Sequence, residues 1–383
     1  MSESSKIWLS SPHMGGNELD YIHKAFEANW IAPLGPNVNG FENDIKSYLK
    51  TEKQIAALSS GTAAIHLALV QLGVTSGDEV ICQSFTFCGS INPIIYQGAK
   101  PILVDSEPDT WNICPKALEE AIEDRIRLGK KPKAIIPVHL YGMPYQVDAV
   151  ENIAKKYNIP IVEDAAEALG STYKKQACGT FGEFGALSFN GNKIITTSGG
   201  GALVCSSDEA KSKTVFYATQ ARDDAPHYEH THIGFNYRMS NIVAGIGRGQ
   251  MEILDKHISL RREMHFMYKD LFKDVEEIQV FEEKRDDVFS NHWLSAITVK
   301  KEAKFTREDL RLALLEDNIE SRPLWKPMHL QPVFKDLPYY GGSTAEDLFD
   351  RGLCLPSGSN LTDEEKQRIS KKINDFLKQH ELI

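Results

Sequence analysis

The chain has 383 residues, more than one minimal core requires and suited to two domains. Its formal net charge of −10 argues against a partner such as nucleic acid or an anionic membrane, because phosphate-rich surfaces select basic faces. Six scattered cysteines without a CxxC pair, an opening MSESSKIWLSS without an apolar signal core, and no stretch long enough to span a bilayer lead us to expect free thiols in a reducing cytoplasm.

Along the chain, Glu18–Ala28 has helical spacing on Leu19, Ile22 and Ala25, and Phe41–Leu49 resumes helix after the Pro- and Gly-rich NWIAPLGPNVNGFE. The run IAALSSGTAAIHLALVQLG then reads as an apolar segment, a Ser-Ser-Gly turn and a helix starting near Thr62. Free N–H groups of Gly61, Thr62 and Ala63 at such a start form an anion site, and small side chains let a phosphate approach. The plain alternative, a capped helix that binds nothing, stands until other residues join it.

Apolar runs at Glu79–Cys82, Pro101–Val104, Ala134–Val138 and Ile159–Val162 alternate with helical segments such as Pro115–Arg127 and Val147–Tyr157. Alternation of this kind predicts a mostly parallel sheet with right-handed crossovers, and ligands in such sheets sit beyond the carboxyl ends of the strands. One rim should therefore gather Ser84–Phe87, His139–Gly142 and Glu163–Glu167. In the last set, IVEDAAEALG, Asp164 either caps a following helix or presents a carboxylate to a ligand; Glu163 and Glu167 read as supporting or exposed. Phe85 and Phe87 in QSFTF alternate with polar residues, which puts both on one face of an extended segment, either in the core or reaching the rim.

The stretch GEFGALSFNGNKIITTSGGGA holds one lysine, Lys193, among small and hydroxylated residues. Most lysines are solvated surface features. One set in a constricted, glycine-rich loop suits a different task, forming an imine with the aldehyde of pyridoxal phosphate. Beyond it, Gly201–Cys205 reads as a strand and Asp208–Tyr217 as a helix. The polar stretch QARDDAPHYEHTHIGFNYRMSN carries His227, His230 and His232, whose spacing is not that of a helical metal pair, so no metal site is expected. Residues 241–272 read as one long helix containing the domain boundary, giving a large domain 1–256 and a smaller α+β domain 257–383, with the N-terminal segment packing on the small domain. The small domain carries Trp293–Val299, Arg307–Asp317 and Asp363–Leu377. Between its elements SRPLWKPMH brings Arg322, Trp325, Lys326 and His329 together as a surface loop or a wall for a charged substrate.

The set SSGTAAIHLA, SFTF, IVEDAAEALG, LSFNGNKIITTSGGGALV and GFNYRMSN, in that order, resembles the DegT/StrS family of pyridoxal-phosphate sugar aminotransferases, and the likeness extends over essentially the full chain. The opening LSSPHMGGNELDYI, the loop ARDDAPHYEH and the late SRPLWKPMH and CLPSGSN are most similar to the bacillosamine-pathway C4 aminotransferases. The resemblance implies fold-type I, with a mostly parallel sheet sandwiched by helices. It implies Lys193 as the lysine that holds the cofactor, Asp164 as the carboxylate on its pyridine nitrogen, and Phe87 as the ring stacked on it. Thr62, Ala63 and Ser188 would cradle its phosphate, and Asn236 would reach that phosphate from the other subunit of a homodimer. Glu167, where the family often has glutamine, is implied near the phenolic oxygen, and His329 on the sugar-nucleotide side. Arg222, Arg238 and Lys326 are candidates for the diphosphate. The implied reaction takes an amino group from L-glutamate, releases 2-oxoglutarate, leaves pyridoxamine phosphate as the intermediate form, and aminates C4 of a UDP-linked 4-keto-6-deoxy sugar. Amination at C3 or of another keto-sugar or cyclitol is the alternative within the family. A cofactor-binding regulator would need a DNA-binding module for which the chain has no spare residues.

Overall fold

The computed structural model describes residues 5–383; the first four residues of the opening stretch lie outside it. A central sheet forms from the alternating runs. Its strands lie in the order Gln54–Leu58, Gly201–Cys205, Phe184–Ser188 and Val162–Asp164, then Ala134–Ile136, Glu79–Gln83, Lys100–Val104 and Tyr339–Tyr340. The two halves join through parallel bridges at Ile135–Ile161 and Val138–Asp164. All neighbours in the second half pair in parallel, whereas Gly201–Cys205 runs antiparallel to both its neighbours. The expected mostly parallel α/β sheet is present, and its strands are buried on both faces, as the near-continuous apolar runs require.

Helices Pro115–Arg127 and Val147–Tyr157 occupy the residues read from periodicity. Three readings need correction. The helix expected from Phe41 begins at Pro36, because proline suits a first helical turn and Gly35 turns into it at φ 141°. Nothing helical follows Asp164; Ala165–Gly170 is a chain of turns. The stretch 241–272 is two helices, Asn241–Met251 and Leu254–Leu271, broken at Glu252 and Ile253.

That break matters for the domains. The second helix begins on the large-domain core through Ile258 and ends in the small-domain core through Met264 and Tyr268. The small domain is built on the antiparallel strands Ile278–Val280, Ser295–Val299, Gly352–Leu355 and Arg322–Pro323, covered by Arg307–Glu316 and Asp363–Gln379. The chain also links the two bodies elsewhere: Ile7 pairs with Ile319 beside the small sheet, Val288–Phe289 pairs with Thr172–Tyr173, and Tyr339–Tyr340 supplies the edge strand of the large sheet.

Candidate active site

The carboxyl ends of three central strands converge on one cleft of about 660 Å³, whose lining includes Phe87, Val138, Asp164, Glu167, Ser188 and Lys193. A second groove of about 990 Å³, beside Tyr48 and Arg248, contains none of these residues.

Lys193 leaves its loop with the side chain 11% exposed. Its Nζ lies 3.3 Å from Glu167 Oε1 and 4.2 Å from the centre of the Trp293 ring. Glu167 is buried, contrary to the expectation that allowed it to be exposed. Its Oε2 accepts the Tyr141 N–H at 2.7 Å. Burial pushes its carboxyl up to about 7, against the opposing pull of Lys193. Asp164 is also buried. Its Oδ2 accepts from Ser90 Oγ at 2.5 Å and its Oδ1 from Ala166 N at 3.1 Å, a local turn rather than a helix cap. Glu163, on the other face of the same strand, faces away. It accepts from Gly179, Phe181 and Gly182 N–H and pairs with His139, so it braces the strand from behind.

The two phenylalanines part company. The backbone turns after Ser84, Phe85 enters the core, and Phe87 stands 58% exposed over the cleft with Trp325 5.6 Å away. At the helix Gly61–Gln71, Ser60 Oγ takes the Ala63 N–H at 3.0 Å and Ser60 O takes that of Ala64. Ala63 is therefore not a free donor as expected. Among the described residues the Gly61 and Thr62 N–H groups have no acceptor, and Ser188 lies beside them at the end of its strand. Gly201, the last of the glycine run after Lys193, serves this cradle. A Cβ on Gly201 would lie 2.3 Å from the Ser60 carbonyl carbon and 2.4 Å from Gly61 N, so only glycine lets strand and helix start meet.

The proposed sugar-nucleotide residues are not gathered there. Arg238 is tied to Glu42 and to Ala57 O, a pairing that leaves it behind the cleft. His329 is held between Ser84 Oγ at 2.7 Å and Glu346 at 3.1 Å and stacks on Tyr339. Lys326 and Arg222 are exposed and outside the lining, Arg222 lying over Tyr228. Asn236 is exposed where the 219–240 excursion closes on Thr219, outside the cleft of its own chain. Of the residues read from SRPLWKPMH as a possible wall, Arg322 and Trp325 line the cleft; Trp8, Ser10, Trp293 and Glu320, which were not foreseen, join them. No periodic pattern marks Trp8 or Trp293; only the fold brings residues that far apart to one wall.

The three loop histidines do not cluster. Among the described residues the one His/Glu grouping with compatible spacing is His265, Glu283 and His292. Its rings stack 3.6 Å apart at 8°, so one ion cannot lie in both ring planes, and Arg262 already holds the other Glu283 oxygen.

A buried lysine amine, an exposed aromatic ring, an anchored carboxylate and unpaired N–H groups at a helix start fit a flat, phosphorylated aldehyde. Fold and cleft together are those of a pyridoxal-phosphate enzyme. The model of the DegT/DnrJ/EryC1/StrS aminotransferase family matches residues 12–374, and the chain belongs to that family. It is 50% identical over 368 residues, 95% of this chain and 94% of the relative, to EpsN of Bacillus subtilis (strain 168), whose name places it among pyridoxal phosphate-dependent aminotransferases. It is 37% identical to the GDP-perosamine synthase of Escherichia coli O157:H7, covering 97% of this chain and 98% of that one. A DegT DnrJ EryC1 StrS aminotransferase from Brucella abortus superposes with a TM-score of 0.87 at 30% identity, over 94% of this chain and 95% of that chain. The protein is a pyridoxal phosphate-dependent sugar aminotransferase.

Proposed function

We propose that the protein moves an amino group from L-glutamate to C4 of a UDP-linked 4-keto-6-deoxy-N-acetyl-hexosamine, giving UDP-4-amino-4,6-dideoxy-N-acetylglucosamine for a surface glycan. The observation that carries the chemistry is the convergence of Lys193, Asp164 and Phe87 with the free N–H groups of Gly61 and Thr62 in one cleft. The sugar and nucleotide rest on the subgroup likeness of LSSPHMGGNELDYI, ARDDAPHYEH and CLPSGSN.

In this reading Lys193 would hold the cofactor through Nζ, and its free amine would take the proton from the donor's α-carbon and return it to the cofactor side of the same cleft. Pyridoxal phosphate, when bound, supplies an electron-accepting ring that stabilises the negative charge left at that carbon. Asp164, fixed by Ser90 and Ala166, presents its carboxylate to the pyridine N–H. With the cofactor bound, Phe87 would cover its ring, and Gly61, Thr62 and Ser188 would hold its phosphate. Glu167 steadies the Lys193 amine between its excursions.

The reading includes a homodimer with shared sites in the cytoplasm. Large apolar side chains left in the open on one chain, among them Phe26 at 61%, Leu34 at 55% and Ile233 at 88% exposure, support a covering partner. Asn236, outside its own cleft, is assigned to the partner's. Six free cysteines support a reducing compartment.

An absorbance series tests the whole reading. The loaded protein is expected to bleach with L-glutamate and recover with UDP-4-keto-6-deoxy-N-acetylglucosamine. Recovery only with the GDP-linked keto-sugar, the nucleotide named in one relative, would move the substrate assignment. No bleaching by glutamate would overturn the donor.

A further inference from the structure

Arg261, in the helix Leu254–Leu271, is 1% exposed, and among the described residues it has no carboxylate partner. A fully buried guanidinium without a counter-charge is costly and calls for an account. Its hydrogen bonds give one. One terminal nitrogen donates to Trp293 O at 2.6 Å and Ser357 O at 3.3 Å; the other donates to Ser10 Oγ at 3.0 Å and to the carbonyl of Lys193 at 3.3 Å. Its Nε has no acceptor, so the group is not placed there to satisfy every donor.

The contact with Lys193 is one of a series. Asn192 O accepts from Ser10 Oγ at 2.8 Å and from Trp293 Nε1 at 2.7 Å. Ile194 O lies 3.2 Å from His257 Nδ1, which fixes the proton on that nitrogen. Three consecutive carbonyls, at 192, 193 and 194, are thus held by side chains from the N-terminal segment, from Leu254–Leu271 and from the small domain. Trp293 both bonds the loop and lies under the Lys193 amine. A lysine that must alternate between a covalent bond and proton transfer needs a fixed root, since a displacement near 1 Å costs about 10²-fold in rate.

We propose that Arg261 is the positioning residue of Lys193, clamping its backbone through the fork shared with Ser10, Trp293 and Ser357 so that the amine enters the cleft along one path. The proposal rests on Lys193 being the reacting lysine. It predicts a defect in the rate of bond formation at Nζ rather than in affinity.

The test adds pyridoxal phosphate to unloaded protein and follows covalent attachment by absorbance, with borohydride trapping and mass spectrometry locating it at Lys193. Arg261→Met is expected to lower the saturating attachment rate at least tenfold while the half-saturating concentration stays within twofold. Arg261→Lys, which keeps the charge but reaches fewer acceptors, should fall between. Trp293→Phe keeps a ring under the amine but loses the bond to Asn192, and should lower the rate about threefold. Wild-type saturating rates in all folded variants would overturn the proposal, whatever happens to their thermal midpoints. If Arg261→Met does not fold, Arg261→Lys and Trp293→Phe decide it in the same way. A wild-type protein that attaches no cofactor at Lys193 would instead overturn the site reading.

Discussion

At the scale of single residues, the environments of Lys193, Asp164 and Glu167 predict different failures on the proposed reading. Lys193→Ala should abolish the absorbance of attached cofactor and nearly all turnover; normal activity would place the reacting lysine elsewhere. Asp164→Asn keeps the shape and can still meet Ser90 and Ala166, so cofactor should remain while turnover falls by roughly 10²-fold or more. Wild-type rates in that variant would remove Asp164 from the ring nitrogen. Glu167 predicts a pH effect. Its carboxyl is lifted to about 7 in the folded protein, so between the ordinary carboxylate range and pH 7 the folded state binds more protons than the unfolded one. Its contribution is therefore undiminished at low pH and is lost as pH rises through that window, on the order of 3 kcal/mol. Glu167→Gln should flatten the stability of unloaded protein across that range; an unchanged slope would assign it to other groups.

At the scale of elements, the site depends on a strand and a helix start meeting without side chains between them. Gly201→Ala would press a methyl group into the Ser60–Gly61 peptide. It should cost about 1–3 kcal/mol of stability and weaken cofactor affinity together, because the same displacement opens the Gly61 and Thr62 cradle. Ser60→Ala should cost about 1 kcal/mol as a lost cap and free the Ala63 N–H. Calorimetry and cofactor titration read both. Retained affinity in Gly201→Ala would show that the phosphate is held elsewhere. The break between Asn241–Met251 and Leu254–Leu271 matters at this scale too, since the second helix carries His257 and Arg261 to the lysine loop from the junction of the two cores.

For the whole molecule, the exposed apolar surface and the outlying Asn236 make one prediction together. Asn236→Ala and Lys193→Ala should each be inactive or weak alone. Verified heterodimers of the two should recover activity, since one of their two clefts then has both an intact lysine and an intact partner asparagine. No recovery would count against shared sites. Arg238 pairs with Glu42, which also receives Lys211, so in the single chain this arginine ties the Gln54–Leu58 edge of the sheet to the helix Pro36–Leu49.

Much of this was legible in the chain itself. Period and turn residues located most strands and helices of the central sheet, because burial on both faces leaves apolar runs and crossover helices leave an amphipathic stripe. The same topology put Ser84–Phe87, His139–Gly142 and Glu163–Glu167 near one rim, since strand ends in such sheets face a common crevice, while Lys193 was marked by its glycine-rich loop and the family likeness. Other features depend on partners distant in sequence. Whether Phe85 or Phe87 faces the cleft was settled by a turn, and whether Ala63 donates outward was settled by the Ser60 hydroxyl. The anchoring of His329 by Ser84 and Glu346, and of Arg238 by Glu42, likewise comes from residues far away in the sequence. The wall of Trp8 and Trp293, and the clamp from Ser10 and Arg261 on Lys193, join segments more than sixty residues apart, and no local pattern encodes a contact across that distance. Local sequence thus determined which elements form and which residues are chemically equipped; tertiary packing decided which of them meet, because a side chain's role follows from the groups that reach it first.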